Sequence, residues 1–111
     1  MRIEELQVNA REASALLKAM SNERRLMILC HLARGEKTVG QLEELVSLSQ
    51  SALSQHLARL RRDRLVRTRR NAQSIYYSLN GNQAVAVMST LGSLYPTGSA
   101  RVSAQAMPAL A

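Results

Sequence analysis

Seven arginines, Arg59, Arg61, Arg62, Arg64, Arg67, Arg69 and Arg70, stand close together with a single acid, Asp63, among them. The 58 residues before this block balance seven Lys or Arg against seven acids, and the 41 after it add only Arg101. Nearly all of the chain's net charge of +7 is therefore concentrated in one short stretch. Such crowding costs self-repulsion unless an anion relieves it, and a phosphate backbone does so with release of condensed counterions. Just upstream, Gln50, Ser51, Ser54, Gln55 and Arg59 recur at helical spacing. Gln can bond adenine in bidentate fashion, and Ser can bond a base or a phosphate. His56 lies beside this set, within reach of a sugar-phosphate backbone. Taken singly, Gln and Ser on a helix are solvated surface. Beside seven arginines they describe a surface for a nucleic acid.

Other chemistries are poorly supplied. The chain has one cysteine, Cys30, which excludes an intrachain disulfide, and two distant histidines without the spacing of a zinc site. No metal, no cofactor and no catalytic constellation is expected, so an enzyme is not. With no Trp or Phe and three Tyr, rows of stacked aromatics are unavailable and the core must be aliphatic. The chain of 111 residues makes one domain. Its longest apolar runs, Leu26 to Cys30 and Ala84 to Met88, are too short for a membrane span, and its first residues are charged. A reduced, cytosolic protein is expected, associated with the nucleoid when bound to DNA.

The elements that must hold these residues follow from spacing and caps. Ile3 to about Met20, free of Gly and Pro, predicts a first helix. Ser21 or Asn22 caps a second, with Leu26, Leu29, Cys30 and Ala33 on its buried side and Gly35 at its end. Thr38 to Gln41 fits a capping box, opening a third helix with Val39, Leu42, Leu45 and Val46 as its stripe. Ser47 to Ser49 is a turn, and Ser49 caps a fourth helix whose core face is Leu53, Leu57 and Leu60. Leu65 to Arg70 and Ser74 to Leu79, around Asn71, Ala72 and Gln73, predict a two-stranded hairpin. A last helix runs from Asn82 to Tyr95, with Val85, Met88, Leu91, Gly92 and Tyr95 as its stripe, until Pro96 stops it. The domain is expected over 1–95, and 96–111, holding both prolines, reads as a flexible tail.

Two short capped helices joined by a tight turn, then a basic hairpin, describe a winged helix-turn-helix. The fold class is mainly α with a small β-hairpin (α+β), ordered helix, helix, helix, helix, strand, strand, helix. The fourth helix would enter the major groove by its N-terminal residues. Arg69, Arg70 and Gln73 would meet flanking phosphates or the minor groove, and Lys37, Thr38 and Ser49 would meet the backbone. The first and last helices have no place in so small a core unless they pair. Leu6, Ala13, Leu16 and Leu17 with Val85, Met88, Leu91, Leu94 and Tyr95 would form a homodimer interface. Two fourth helices would then lie roughly 34 Å apart in successive grooves of an imperfect palindrome of double-stranded DNA.

Three segments carry a resemblance: 20–26 (Met-Ser-Asn-Glu-Arg-Arg-Leu), 48–57 (Leu-Ser-Gln-Ser-Ala-Leu-Ser-Gln-His-Leu) and 68–77 (Thr-Arg-Arg-Asn-Ala-Gln-Ser-Ile-Tyr-Tyr). From about Leu16 to Tyr95 the chain resembles the ArsR/SmtB family of dimeric winged-helix regulators, in particular the NolR-like branch and the HlyU-, BigR- and YgaV-like branch. The resemblance implies operator binding by the fourth helix and the wing, and dimerisation through the first and last helices. Family metal sites use a cysteine pair on the third helix or Asp, His and Glu on the last; here Val39, Gly40, Gln41 and Leu42 fill the former and the latter has no ligand. Sulfur-responsive members use two cysteines, of which Cys30 matches one while Pro96 stands where the other belongs. Cys30 is thus a core residue or a lone modulating thiol, and the effector is unknown. The expected function is a sequence-specific transcriptional regulator, most often a repressor. The alternative is a winged module that engages an acidic protein or RNA without reading DNA sequence.

Overall fold

A computed structural model describes residues 2–96, so the expected tail lies, from residue 97 onward, outside the described residues. The helix-rich start forms α1, Ile3–Met20, with Glu4 and Glu5 in its first turn, where the helix dipole favours carboxylates. Asn22 caps α2, Glu23–Leu32, its side-chain oxygen accepting from the backbone N–H groups of Arg24 at 2.9 Å and Arg25 at 3.0 Å. Arg25 Nε donates to the Ala19 carbonyl at 2.6 Å, which satisfies the end of α1 and pins the corner between the two helices. A two-residue strand, β1, Lys37–Thr38, leads into α3, Val39–Leu45. The capping box of α3 is complete: Gln41 N–H donates to the Thr38 hydroxyl at 3.2 Å, and Thr38 N–H donates to Gln41 Oε1 at 2.9 Å. Ser49 opens α4, Gln50–Arg62, accepting from Ala52 N–H at 3.1 Å. Strands β2, Val66–Asn71, and β3, Ser74–Leu79, precede α5, Gln83–Leu94.

The sheet differs from the expected hairpin in having three antiparallel strands, ordered β1-β3-β2. Lys37 pairs with Tyr77 and Thr38 with Tyr76, covering part of an edge of β3 whose backbone groups would otherwise lack partners. The turn is also tighter than expected. Asn71 pairs with Ser74, so only Ala72 and Gln73 bridge the strands, and Ala72 has φ 59°. A positive φ at the first of two central residues is a feature of the primed hairpin turns, whose twist matches that of the strands.

The end of α4 aims the wing. Leu65 N–H donates to the Leu60 carbonyl and Arg64 N–H to that of Arg61, with Arg64 left-handed at φ 64°. This is a Schellman motif, and its apolar contact joins Leu60 to Leu65, both buried. Leu53, Leu57 and Leu60 line the core face of α4 as their spacing predicts. The buried side of α2 is shifted to Ile28, Leu29 and Leu32; Leu26 and Cys30 are half-buried and Ala33 is exposed. The shift arises because α2 packs against both α4 and β3, a wider surface than one stripe can serve. In α3, Leu42 and Val46 are buried but Leu45 is exposed. The flanking helices do enter the core, contrary to expectation: Ala19 and Met20 end α1 inside it, and Ala84 and Met88 bring α5 into it.

Candidate nucleic-acid interface

With its leucines turned inward, α4 presents Gln50, Ser51, Ser54, Gln55, Ala58, Arg61 and Arg62 to solvent. Among the described residues, Gln50, Ser51, Ser54 and Gln55 make no side-chain hydrogen bond, so their donors and acceptors are uncommitted. Ala58 adds no bulk between them and the arginines. Ser54, Ala58, Arg61 and Arg62 border a shallow, open depression together with Tyr77 of β3. The sequence places Arg61 and Arg62 in the basic block without assigning either a contact, and it leaves Ala58 out. Their spacing from Ser54 at four, seven and eight residues was the available signal.

The other two expected α4 contacts lie on a different flank. Arg59 Nε donates to Asp63 Oδ2 at 2.9 Å, one turn on along the helix, and the side chain is half-buried. Arg62 also reaches Asp63, at 3.6 Å, but remains largely exposed. His56 is half-buried, and burial first, then the charges of Arg25 and Arg24, holds its imidazole below the ordinary value. The structure therefore places His56 beside the start of α2, and Arg59 at the base of the helix, instead of on the face that carries Gln50 and Ser51.

Strand alternation sorts the wing. Val66, Thr68 and Arg70 share one face with Ile75, Tyr77 and Leu79, the face that packs toward α4. Arg67, Arg69 and Asn71 share the other with Ser74, Tyr76 and Ser78. Arg70, near the tip on the α4 side, is where a wing contact would sit. Arg69 is differently engaged: its Nε donates to Glu36 Oε2 at 2.9 Å and Oε1 at 3.2 Å, its Nη2 donates to Oε1, and its guanidinium lies 4.5 Å from the Tyr76 ring centroid. The hydrogen bond from Arg69 holds the Glu36 carboxyl below its usual value. Arg69, expected at flanking phosphates or the minor groove, is thus held by Glu36 within the chain. Among the described residues no ion pair engages Arg61, Arg64, Arg67 or Arg70. Gln73 is exposed at the turn.

The proposed backbone contacts around α3 are locally used. Lys37 Nζ donates to the Gly35 carbonyl at 3.1 Å, and the hydroxyls of Thr38 and Ser49 accept as helix caps. Of the expected interface residues, Leu6, Leu17, Val85, Leu94 and Tyr95 are exposed, while Ala13, Leu16 and Leu91 are half-buried. Met88, expected at that interface, is only 9% exposed and packs in the chain's own core. Its Sδ lies 3.5 Å from Cys30 Sγ, and burial pushes the Cys30 thiol above its ordinary value despite an opposing pull from Arg34. Among the described residues no group of three His, Cys, Asp or Glu side chains could hold a metal, and no helix is long and apolar enough to cross a membrane.

This arrangement of capped helices and wing has close counterparts. Residues 22–68 match the family described as bacterial regulatory protein, arsR family. The transcriptional activator HlyU of Vibrio cholerae serotype O1 is 52% identical over 95 residues, covering 86% of this chain and 88% of that protein. The chain belongs to the ArsR family. The nodulation protein NolR of Rhizobium meliloti is 47% identical over 78% of this chain and 71% of its own length. The crystal structure of the transcriptional repressor BigR from Xylella fastidiosa superposes with a TM-score of 0.83 at 37% identity, covering 88% of this chain and 100% of that one. These ArsR-family relatives are transcriptional regulators with a winged helix-turn-helix, not enzymes.

Proposed function

We propose that this ArsR-family chain is a homodimeric regulator that reads an imperfect palindrome, most simply as a repressor occluding a promoter. One observation carries the reading: an α4 face whose Gln and Ser side chains make no hydrogen bond among the described residues adjoins Arg61 and Arg62, and Arg70, in no ion pair among those residues, stands on the α4 side of the wing. Gln50 and Ser51, in the first turn of α4, meet base edges. Arg61, Arg62, Arg67 and Arg70 meet phosphates, which set affinity but not sequence.

A second copy fits the surface left over. On α1, Ile3, Leu6, Ala10, Ala13 and Leu17 recur at alternating steps of three and four, the seam of paired helices. Leu17 is 56% exposed, and Leu94 of α5 is 62% exposed. An apolar surface of this kind is expected to be covered by a partner. Thiol-based modulation at Cys30 draws less support, since the thiol is half-buried with a raised pKa, and reactive thiols need a lowered one. Modification there would have to displace Met88 and so disturb α5.

Selection of bound duplexes from a random-sequence pool tests the reading. It should enrich two inverted half-sites centred about 10 base pairs apart, or a multiple of that. Recovery of unselected sequence overturns it, and capture of an acidic protein or RNA in preference to duplex would favour the interaction-module alternative.

A further inference from the structure

We propose that Glu36 is a positioning residue for operator recognition, holding the wing at its working angle through Arg69, which braces the sheet instead of touching phosphate. The inference rests on the DNA-binding reading above and deepens it. Glu36 ends the connection out of α2, directly before β1, whereas Arg69 lies in β2 with β3 between them. Two guanidinium nitrogens grip the carboxylate, and the Tyr76 ring of β3 lies against the same guanidinium at 4.5 Å. The clasp therefore runs from the residue before β1, past β3, to β2. A forked, stacked arginine fixes orientation in a way that a point charge does not.

The neighbourhood makes the acid informative. A carboxylate beside a face meant for a polyanion repels it, so charge alone argues against Glu36. What it supplies instead is a side-chain tie between the outer strand β2 and the body of the domain. Arg70 follows Arg69 on the opposite face of the strand, so the angle fixed at Arg69 sets where Arg70 stands relative to α4.

The two roles predict opposite signs. Affinities of wild type and variants are measured for a palindrome selected by the wild-type protein and for random duplex of equal length. A clasp predicts that Glu36→Ala binds random duplex at least as well, yet loses about two- to fivefold in the ratio of selected to random affinity, the scale of one exposed ion pair. Arg69→Gln loses the same ratio and keeps the salt dependence of wild type. The exchanged pair, Glu36→Arg with Arg69→Glu, restores the ion pair without the Tyr76 stack and recovers part of the ratio; no recovery at all counts against the clasp. If Glu36→Ala tightens both duplexes equally, Glu36 is only a repulsive charge and the proposal fails. It also fails if Arg69→Gln flattens the salt slope by about 0.9, the mark of a lost phosphate contact. Should Glu36→Ala not fold, Glu36→Gln, which keeps one acceptor oxygen, carries the comparison by the same criteria. A wild-type protein that enriches no palindrome overturns the underlying reading before any variant is made, so the two failures are distinct.

Discussion

Gln50 and Ser51 occupy the first turn of α4, where a recognition helix presents side chains to base edges, and nothing else in the described residues engages them. Their replacement by Ala should cost about 1–3 kcal/mol per good base contact on the selected palindrome and little on random duplex. Equal losses on both, in a titration, would assign them to backbone contact. His56 makes a separate prediction. Burial and the adjacent Arg25 and Arg24 lower its pKa in the folded chain, and burial with Lys37 and Arg34 does the same to His31. The unfolded chain then takes up more protons as pH falls through the ordinary imidazole range, so folding stability is full above that range and declines below it. Thermal melts at pH 7.5 and 5.5 should show a lower Tm at the acid value, with a smaller drop for His56→Gln; a Tm that does not fall contradicts the placement of His56 beside those cations. At this scale, helical period made the exposed Gln and Ser legible in the sequence. The commitment of Arg69 was not legible, because its partner Glu36 lies 33 residues away. The burial of Met88 was hidden for a similar reason: its neighbour Cys30 belongs to a distant helix.

Caps speak through a few adjacent residues, which is why Asn22, Thr38 with Gln41, and Ser49 announced three helix starts correctly. Strand β1 did not announce itself, since two residues cannot display alternation and its existence depends on an edge offered by β3. The shifted stripe of α2 shows the same limit, for a helix touching two neighbours buries more than one line of residues. At the end of α4 the Schellman motif puts Arg64, not Gly, at φ 64°. A left-handed conformation costs an L-residue about 1–2 kcal/mol, and the extra freedom of Gly in the unfolded chain returns part of that. Arg64→Gly should therefore stabilise the fold by about 0.5–1 kcal/mol, raising Tm by several degrees in a domain of this size. A lowered Tm would mean that the Arg64 side chain contributes more than its backbone conformation costs.

Across the whole molecule, charge and apolar surface largely separate: the arginines gather on α4 and the wing, and most of the exposed aliphatic side chains lie on α1 and α5, with Leu45 and Ile75 the exceptions among the described residues. A twofold pair of chains joined through the second region would offer two copies of the first to one side of a duplex. Charge within that seam should separate the chains. Leu17→Glu is expected to shift the sedimenting species from two chains toward one and to weaken binding to the palindrome, whereas an unchanged mass would place the interface elsewhere. The most direct measurement of the account is an anisotropy titration of one labelled palindrome against a scrambled duplex of equal length and composition, with stoichiometry read at saturation. Two chains per palindrome and a preference of at least about a hundredfold are expected. Equal affinity for both duplexes, or a single chain bound at saturation, would contradict it.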